Sequence, residues 1–199
     1  MTLFSDSAWL YEDTTLIDLN RPNDVLPPVE CYSTEIRGAK LGGSTLTRWI
    51  FEDCRFTHCD LSNVKLDDVV LQNCHFDDCR LLGIDWRRAK ALNLELSFTQ
   101  CQLSLSNFSG MALKGMVLKN SDCSDVDFTQ ANLENANFEN STLAGALFDR
   151  TRLNSADLSG ASEVLIDPKN NAVRGLKLSV TAALNMARRT GIEIPDAPL

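Results

Sequence analysis

Residues 121–160 read SDCSDVDFTQANLENANFENSTLAGALFDRTRLNSADLSG, and an apolar residue returns there at every fifth position: Cys123, Phe128, Leu133, Phe138, Leu143, Phe148, Leu153 and Leu158. Neither the 3.6-residue period of a helix nor the two-residue alternation of an ordinary strand produces that spacing. Two residues before these positions stand compact side chains, among them Ala131, Ala136, Ser141, Ala146 and Ala156. Residues two apart on an extended chain share a face, so a five-residue unit with one small and one large inward residue forms one wall of a tube. The other three residues of each unit are polar, as in Asn132, Glu134 and Asn135, which is the cover a solenoid needs.

The track extends back from Cys123 through Leu118, Leu113, Phe108 and Leu103 to Phe98. An earlier run occupies Ile36, Leu41, Leu46, Phe51, Phe56, Leu61, Leu66, Leu71, Phe76, Leu81 and Trp86, with Cys54, Cys59, Val64, Val69, Cys74 and Cys79 on its small track. Thirteen positions in one run and eleven in the other make 24 units. From Trp86 to Phe98 is twelve residues and not ten, so the runs are out of phase by two and an inserted loop is expected at about 87–96. That segment carries Arg87, Arg88 and Lys90, the densest basic cluster in the chain, and insertions in solenoids gather on the binding face.

These units resemble the pentapeptide-repeat family. Ala131-Asn132-Leu133-Glu134-Asn135 and Ala156-Asp157-Leu158-Ser159-Gly160 match its Ala-Asp/Asn-Leu-X-X pattern, and the likeness covers about residues 31–163. It implies an all-β solenoid, a right-handed quadrilateral β-helix in which four units close each coil and residues 20 apart stack. Twenty-four units are then about six coils, a rod on the order of 30 Å long at about 4.8 Å per strand. Phe108, Phe128 and Phe148 form one expected ladder and Leu113, Leu133 and Leu153 another, with Cys54 under Cys74 and Cys59 under Cys79. Residues 1–30, which lack the repeat but hold Trp9, Leu10, Tyr11, Pro22, Pro27 and Pro28, are expected as an irregular lid. Residues 164–199 are expected as a C-terminal cap. In it Ser179 caps a helix from Val180 to about Thr190 and Gly191 stops it, with Val180, Ala183, Leu184 and Ala187 on one apolar stripe.

The seven cysteines of the chain suggest a disulfide or metal framework until their places are read. Cys54 and Cys59, like Cys74 and Cys79, are five apart, unlike the C-x2-C knuckle of a zinc site. They are expected as reduced, compact core residues, and no metal or cofactor is expected. His58 and His75 fall on outward positions, no Ser-His-Asp set is recognisable, and Gly38, Gly43, Gly110, Gly145 and Gly160 all take the last place of a unit, where a turn favours glycine. Nothing in the chain points to an enzyme.

A balance of 19 basic against 27 acidic residues gives a net charge of −8, which argues against direct binding of nucleic acid through its phosphates and for a basic partner surface. Met1 to Leu10 has no charged region leading into an apolar stretch, and no run of 18 apolar residues occurs, so the expected location is cytoplasmic, away from the membrane. Two acidic concentrations are candidate partner-binding surfaces: Glu52, Asp53, Asp67, Asp68, Asp77 and Asp78, and then Asp122, Asp125, Asp127, Glu139, Asp149 and Asp157.

Three further features are similar to the members of the family that protect type II DNA topoisomerases from poisons, the Qnr-type quinolone-resistance proteins and the immunity proteins against albicidin or microcin-type toxins. They are the Cys-rich units Phe51 to Leu81, the break between Leu81-Leu82-Gly83-Ile84-Asp85-Trp86 and Ser97-Phe98, and the tail Ala182-Ala183-Leu184-Asn185-Met186 leading to Gly191-Ile192-Glu193-Ile194. The likeness implies DNA gyrase or topoisomerase IV as partner, an acidic rod imitating DNA, and a homodimer joined at the C-terminal end through Val180, Ala183, Leu184 and Ala187. Duplex DNA carries one charge per about 1.7 Å, or roughly 18 over ~30 Å, so a net −8 makes mimicry by the whole rod partial. Two alternatives stay open: a scaffold module with no topoisomerase contact, and an immunity protein that binds the toxin directly through the loop after Trp86.

Overall fold

A computed structural model describes residues 10–90 and 95–194. The five-residue unit forms one side of a square coil, and successive coils pair through parallel strands and bridges alone. The result is a right-handed quadrilateral β-helix of about eight turns, closed by one α-helix, α1, at Val180–Arg189. We name the four walls A to D in chain order. Wall A stacks Leu10–Glu12, Glu30–Tyr32, Ile50–Glu52 and Val70–Gln72. Wall B stacks six strands from Thr15–Ile17 to Val117–Lys119. Wall C is held by bridges such as Lys40 to Asp60 and Asp60 to Arg80. Wall D begins with Val25–Leu26, Thr45–Thr47 and Lys65–Asp67.

Both inward tracks are buried along the rod. The aromatic ladder of wall D runs Trp86, Phe108, Phe128, Phe148 with ring centroids 5.4, 5.6 and 5.4 Å apart and rings nearly parallel. On wall B Phe56, Phe76 and Phe98 stack at 4.7 and 5.1 Å. The small track has a second duty. Its hydroxyls and thiols donate to a main-chain carbonyl 23 residues earlier: Thr34 to Tyr11, Cys54 to Cys31, Cys59 to Ile36, Cys74 to Phe51, Ser141 to Leu118 and Thr151 to Phe128. Cys, Ser and Thr therefore fill one niche as small donors, and all seven cysteines are free and buried.

The coil count exceeds the expected six because both ends of the tube lie inside segments expected as caps. Tyr11 pairs with Cys31 and Leu16 with Ile36, so the ladder already includes Leu10 and does not start at Cys31. Tyr11, Leu16, Leu26 and Cys31 keep the five-residue frame, and Arg21 alone interrupts it. Trp9 lies outside the described residues. At the other end Arg152 bridges Ala172, and Asp157–Leu158 pairs with Lys177–Leu178. Glu163 and Pro168 break the apolar track there, while the buried Val164 and Ile166 supply core in their place.

The phase slip is as expected, but its place is narrower. Cα partners are 20 apart up to Val70 and Lys90 and 22 apart across the slip, where Phe76 faces Phe98 and Asp85 faces Asn107. Arg87, Arg88 and Lys90 belong to the tube and not to the inserted loop. Trp86–Arg88 form a 3-10 turn capped by Asp85, Ala89 is buried, and the Lys90 amide donates to Val69. The frame thus holds through Ala89, and Leu96 is again buried. Residues 91–94 of the expected loop lie outside the described residues.

Candidate interaction surface

The corner after each large inward residue puts one residue in the left-handed region, a conformation that Gly, Asn and Asp adopt at least cost. Asp53, Asp68 and Asp78 sit there with φ of 54°, 60° and 50°. Asp127 and Asp157 serve a different turn, their Oδ1 atoms accepting from the amides of Thr129 and Ser159 at 2.8 and 3.1 Å. Ser159 and then Lys177 hold the Asp157 carboxyl down to about 2. Much of the expected acidic surface is therefore geometry demanded by the coil.

Ion pairs account for more of it. Asp67 binds Arg88 at 2.5 Å, Asp77 binds Arg55, Asp78 lies 3.4 Å from His58, Glu139 binds Lys119 at 2.9 Å, and Asp149 and Asp157 each meet a cation at 3.0 Å. Arg87 makes a bidentate pair with Asp85 at 2.7 and 2.8 Å. The expected partner residues do not converge. Asp67, Asp68, Arg87, Arg88, Asp127 and Asp149 lie on wall D, Asp77, Asp78, Glu139 and Asp157 on wall B, and Glu52, Asp53 and Lys90 on wall A.

Wall A carries the concentrated charge. Glu12, Tyr32 and Glu52 are stacked neighbours, as are Leu10, Glu30 and Ile50. With Asp13 and Asp53 at the corner, five carboxylates occupy three coils, and the stretches 10–13, 30–33, 50–53 and 70–73 contain no Lys or Arg. The Tyr32 hydroxyl donates to Glu30 at 3.2 Å. Its pKa is raised by partial desolvation, by that bond and by the field of Glu30, Glu52 and Glu12. Sequence reading places Glu52 and Asp53 but misses Glu12, Asp13 and Glu30, because an irregular lid is expected where the first coils lie. The 20-residue spacing of Glu12, Tyr32 and Glu52 was the available signal.

Residues 34–73 match a model of pentapeptide repeats in eight copies, and residues 91–158 match a model of the pentapeptide repeat region. The chain belongs to the pentapeptide-repeat family. Among curated proteins none matches it. Solved structures similar to it include two trypsin-treated variants of QnrB1, described as a plasmid-mediated fluoroquinolone resistance protein. One is 23% identical with a TM-score of 0.58, over 93% of this chain and 91% of that one. The other is 22% identical with a TM-score of 0.56, over 93% and 99%. At such identity the likeness speaks for the fold.

One pentapeptide-repeat corner departs from the rule that shapes the others. Among the described residues 21 non-glycine residues have positive φ, and Leu105 at 64° is the only apolar one. A left-handed residue with a Cβ costs roughly 1–2 kcal/mol, and here 68% of the side chain is exposed, so burial does not offset the strain. Its column reads Asn23, Gly43, Asn63, Gly83, Leu105, Asp125, Gly145. The Asn23, Asn63 and Asp125 side chains lean over the glycine of the next coil, close enough that a Cβ on Gly43 or Gly145 would lie 2.2 Å from Oδ1. Leucine at the last place of a unit is the sequence signal for this corner.

Proposed function

We propose that this chain is a non-enzymatic binding protein that protects a type II DNA topoisomerase, DNA gyrase or topoisomerase IV, from a poison, using wall A as its acidic surface. The observation that carries the reading is the group of carboxylates on three successive coils, Glu12, Glu30 and Glu52 with Asp13 and Asp53, in stretches of the wall that hold no Lys or Arg. Three coils span about 14 Å, over which duplex DNA carries roughly eight charges. Five carboxylates on one wall come within a factor of two of that density, which the net charge of the whole rod does not. The fold-level likeness to QnrB1, a fluoroquinolone resistance protein, supports the choice of partner. Nothing in the reading requires bound nucleic acid or a membrane.

The test is gyrase supercoiling in the presence of a fluoroquinolone. The protein is expected to restore supercoiling, and Glu12→Gln, Glu30→Gln and Glu52→Gln together are expected to weaken protection at least tenfold while the melting temperature stays near wild type. A protein that neither protects nor co-elutes with gyrase overturns the reading. The scaffold alternative draws support from the ion pairs of wall B, which leave little net charge there for a basic partner.

The homodimer belongs to the same proposal. Helix α1 lays Ala182 and Met186 against the last coil. It leaves Val180 76% exposed and Ala183 exposed, with Leu184 and Ala187 half-buried. An apolar stripe at the end of a rod suits a two-fold contact between copies. Light scattering is expected to give a dimer for the wild type and a monomer for Val180→Glu with Leu184→Glu, and a monomeric wild type at tens of micromolar removes the dimer from the proposal.

A further inference from the structure

We infer that the ridge between walls C and D, built from Leu105, Asp125, Asp127 and Leu147, docks a basic amphipathic helix of a protein partner. The inference rests on the partner-binding reading above and concerns a different surface. Leu105 and Leu147 are 68% and 56% exposed. They lie two coils apart, with Asp125 and Asp127 on the coil between them, since Leu105 donates its amide to Ser124 and Asp127 bridges Leu147. Gly83 below Leu105 and Gly145 beside Leu147 keep the ridge free of competing side chains.

Strain gives the direction of the argument. A leucine held at φ 64° and left in water serves neither backbone nor core, whereas Asn or Gly at that corner would serve the backbone. Strained residues kept without a packing reward are drawn from functional surfaces, where stability and activity compete. The order apolar, acidic, apolar along the ridge then specifies the occupant. Asp127 sits in the field of Arg87, but that guanidinium is already held in the bidentate pair with Asp85. A cation from the partner completes the site.

Spacing selects the occupant's secondary structure. Two coil steps put the leucines on the order of 10 Å apart along the rod. Residues seven apart on a helix share a face and are about 10.5 Å apart. An extended strand returns to one face at about 6.8 or 13.6 Å, so its side chains fall out of step with the ridge. The occupant is therefore a helix with apolar side chains at i and i+7 and Lys or Arg at i+3 or i+4, which seat on Asp125 and Asp127.

The test replaces Leu105 with the photoreactive p-benzoylphenylalanine, with Thr57 on wall B as the control position, and irradiates each protein with purified gyrase. Expected is a crosslink from position 105 to a gyrase segment of the apolar-basic-apolar pattern, and none from 57. Leu105→Asn is expected to melt roughly 2–4 °C higher as strain is relieved yet bind at least tenfold more weakly. A crosslink from 57 and not from 105, or a Leu105→Asn protein that melts lower, overturns the docking ridge and leaves the gyrase reading standing. If gyrase is neither protected nor crosslinked, that reading fails and the ridge is judged on the same variant irradiated in its own cells. A crosslinked peptide of the stated pattern then upholds it, and the absence of one overturns it.

Discussion

Phe128→Ala is expected to cost about 3–5 kcal/mol of stability, the usual penalty for emptying a buried aromatic site. Phe128 is fully buried, stacked between Phe108 at 5.6 Å and Phe148 at 5.4 Å and edge-on to Phe138 at 5.8 Å. Each such ring pair contributes about 0.5–1.5 kcal/mol beyond the area it buries, so the substitution removes contacts with three rings as well as volume. The tube cannot collapse onto the gap, because its coils are spaced by main-chain ladders: Phe128 donates its amide to Leu147 at 3.0 Å, and Asp127 donates to Ser106 at 3.0 Å. Urea unfolding followed by circular dichroism measures the effect. Thr129→Ala, one residue away on the outer surface, is the control and should fall within about 0.5 kcal/mol of wild type. Equal effects at 128 and 129 would mean that the inward and outward positions are wrongly assigned.

The second large effect concerns the seven free thiols. Only the thiolate reacts with a disulfide reagent; all seven groups are enclosed, and those of Cys31, Cys54, Cys59, Cys74, Cys79 and Cys123 are held protonated. Burial pushes Cys54 up to about 11 from 9.0, and the neighbouring Cys101 thiol leads the causes that put Cys79 at about 12. Burial also raises Cys31, Cys74 and Cys123. At pH 8 the folded protein should therefore react only as fast as it opens, and all seven thiols should react at once in denaturant. Several thiols titrating readily without unfolding would contradict the core assignment.

The same shifts set a sign for alkaline stability. Between the unfolded value of 9.0 and the folded values of about 11 for Cys54 and about 12 for Cys79, the unfolded chain holds fewer protons than the folded one. Stability must then fall as pH rises through that window, by up to about 1.4 kcal/mol per pH unit for each thiol, and must not depend on these groups below about pH 9. Cys54→Ser should flatten the slope between pH 9 and 11, since serine does not titrate there and can keep the bond to the Cys31 carbonyl, as Thr34 and Ser44 do in their own coils.

Periodicity carried the reading of the fold because each five-residue unit meets the same two demands, a small and a large inward side chain. A demand met at Ile36 and again at Leu158 can be read without knowing the coil. The stacking of Phe108, Phe128 and Phe148, the free cysteines, the helix at Val180–Arg189 and the two-residue slip all follow from spacing, and the structure contains each of them. The ends were misplaced for the converse reason. Arg21 near one end and Glu163 and Pro168 near the other break the apolar track, yet bridges hold beside Arg21 and Glu163 and pairing resumes at Ala172 beyond Pro168, because main-chain pairing does not need the side chain.

The sequence by itself determined the unit, the inward tracks and the acidic excess, since those are properties of neighbours along the chain. Only the tertiary structure decided which charges remain uncompensated. Asp67 and Arg88 are 21 residues apart and Asp77 and Arg55 are 22 apart, and they pair because a coil returns after about 20 residues and brings them within reach. The same return stacks Glu12 and Glu52 around Tyr32 with no cation in those coils of the wall, and lifts Leu105 and Leu147 to either side of Asp125 and Asp127. Charge and apolar area act through space, and in a solenoid the nearest residue in space lies a full coil away in sequence.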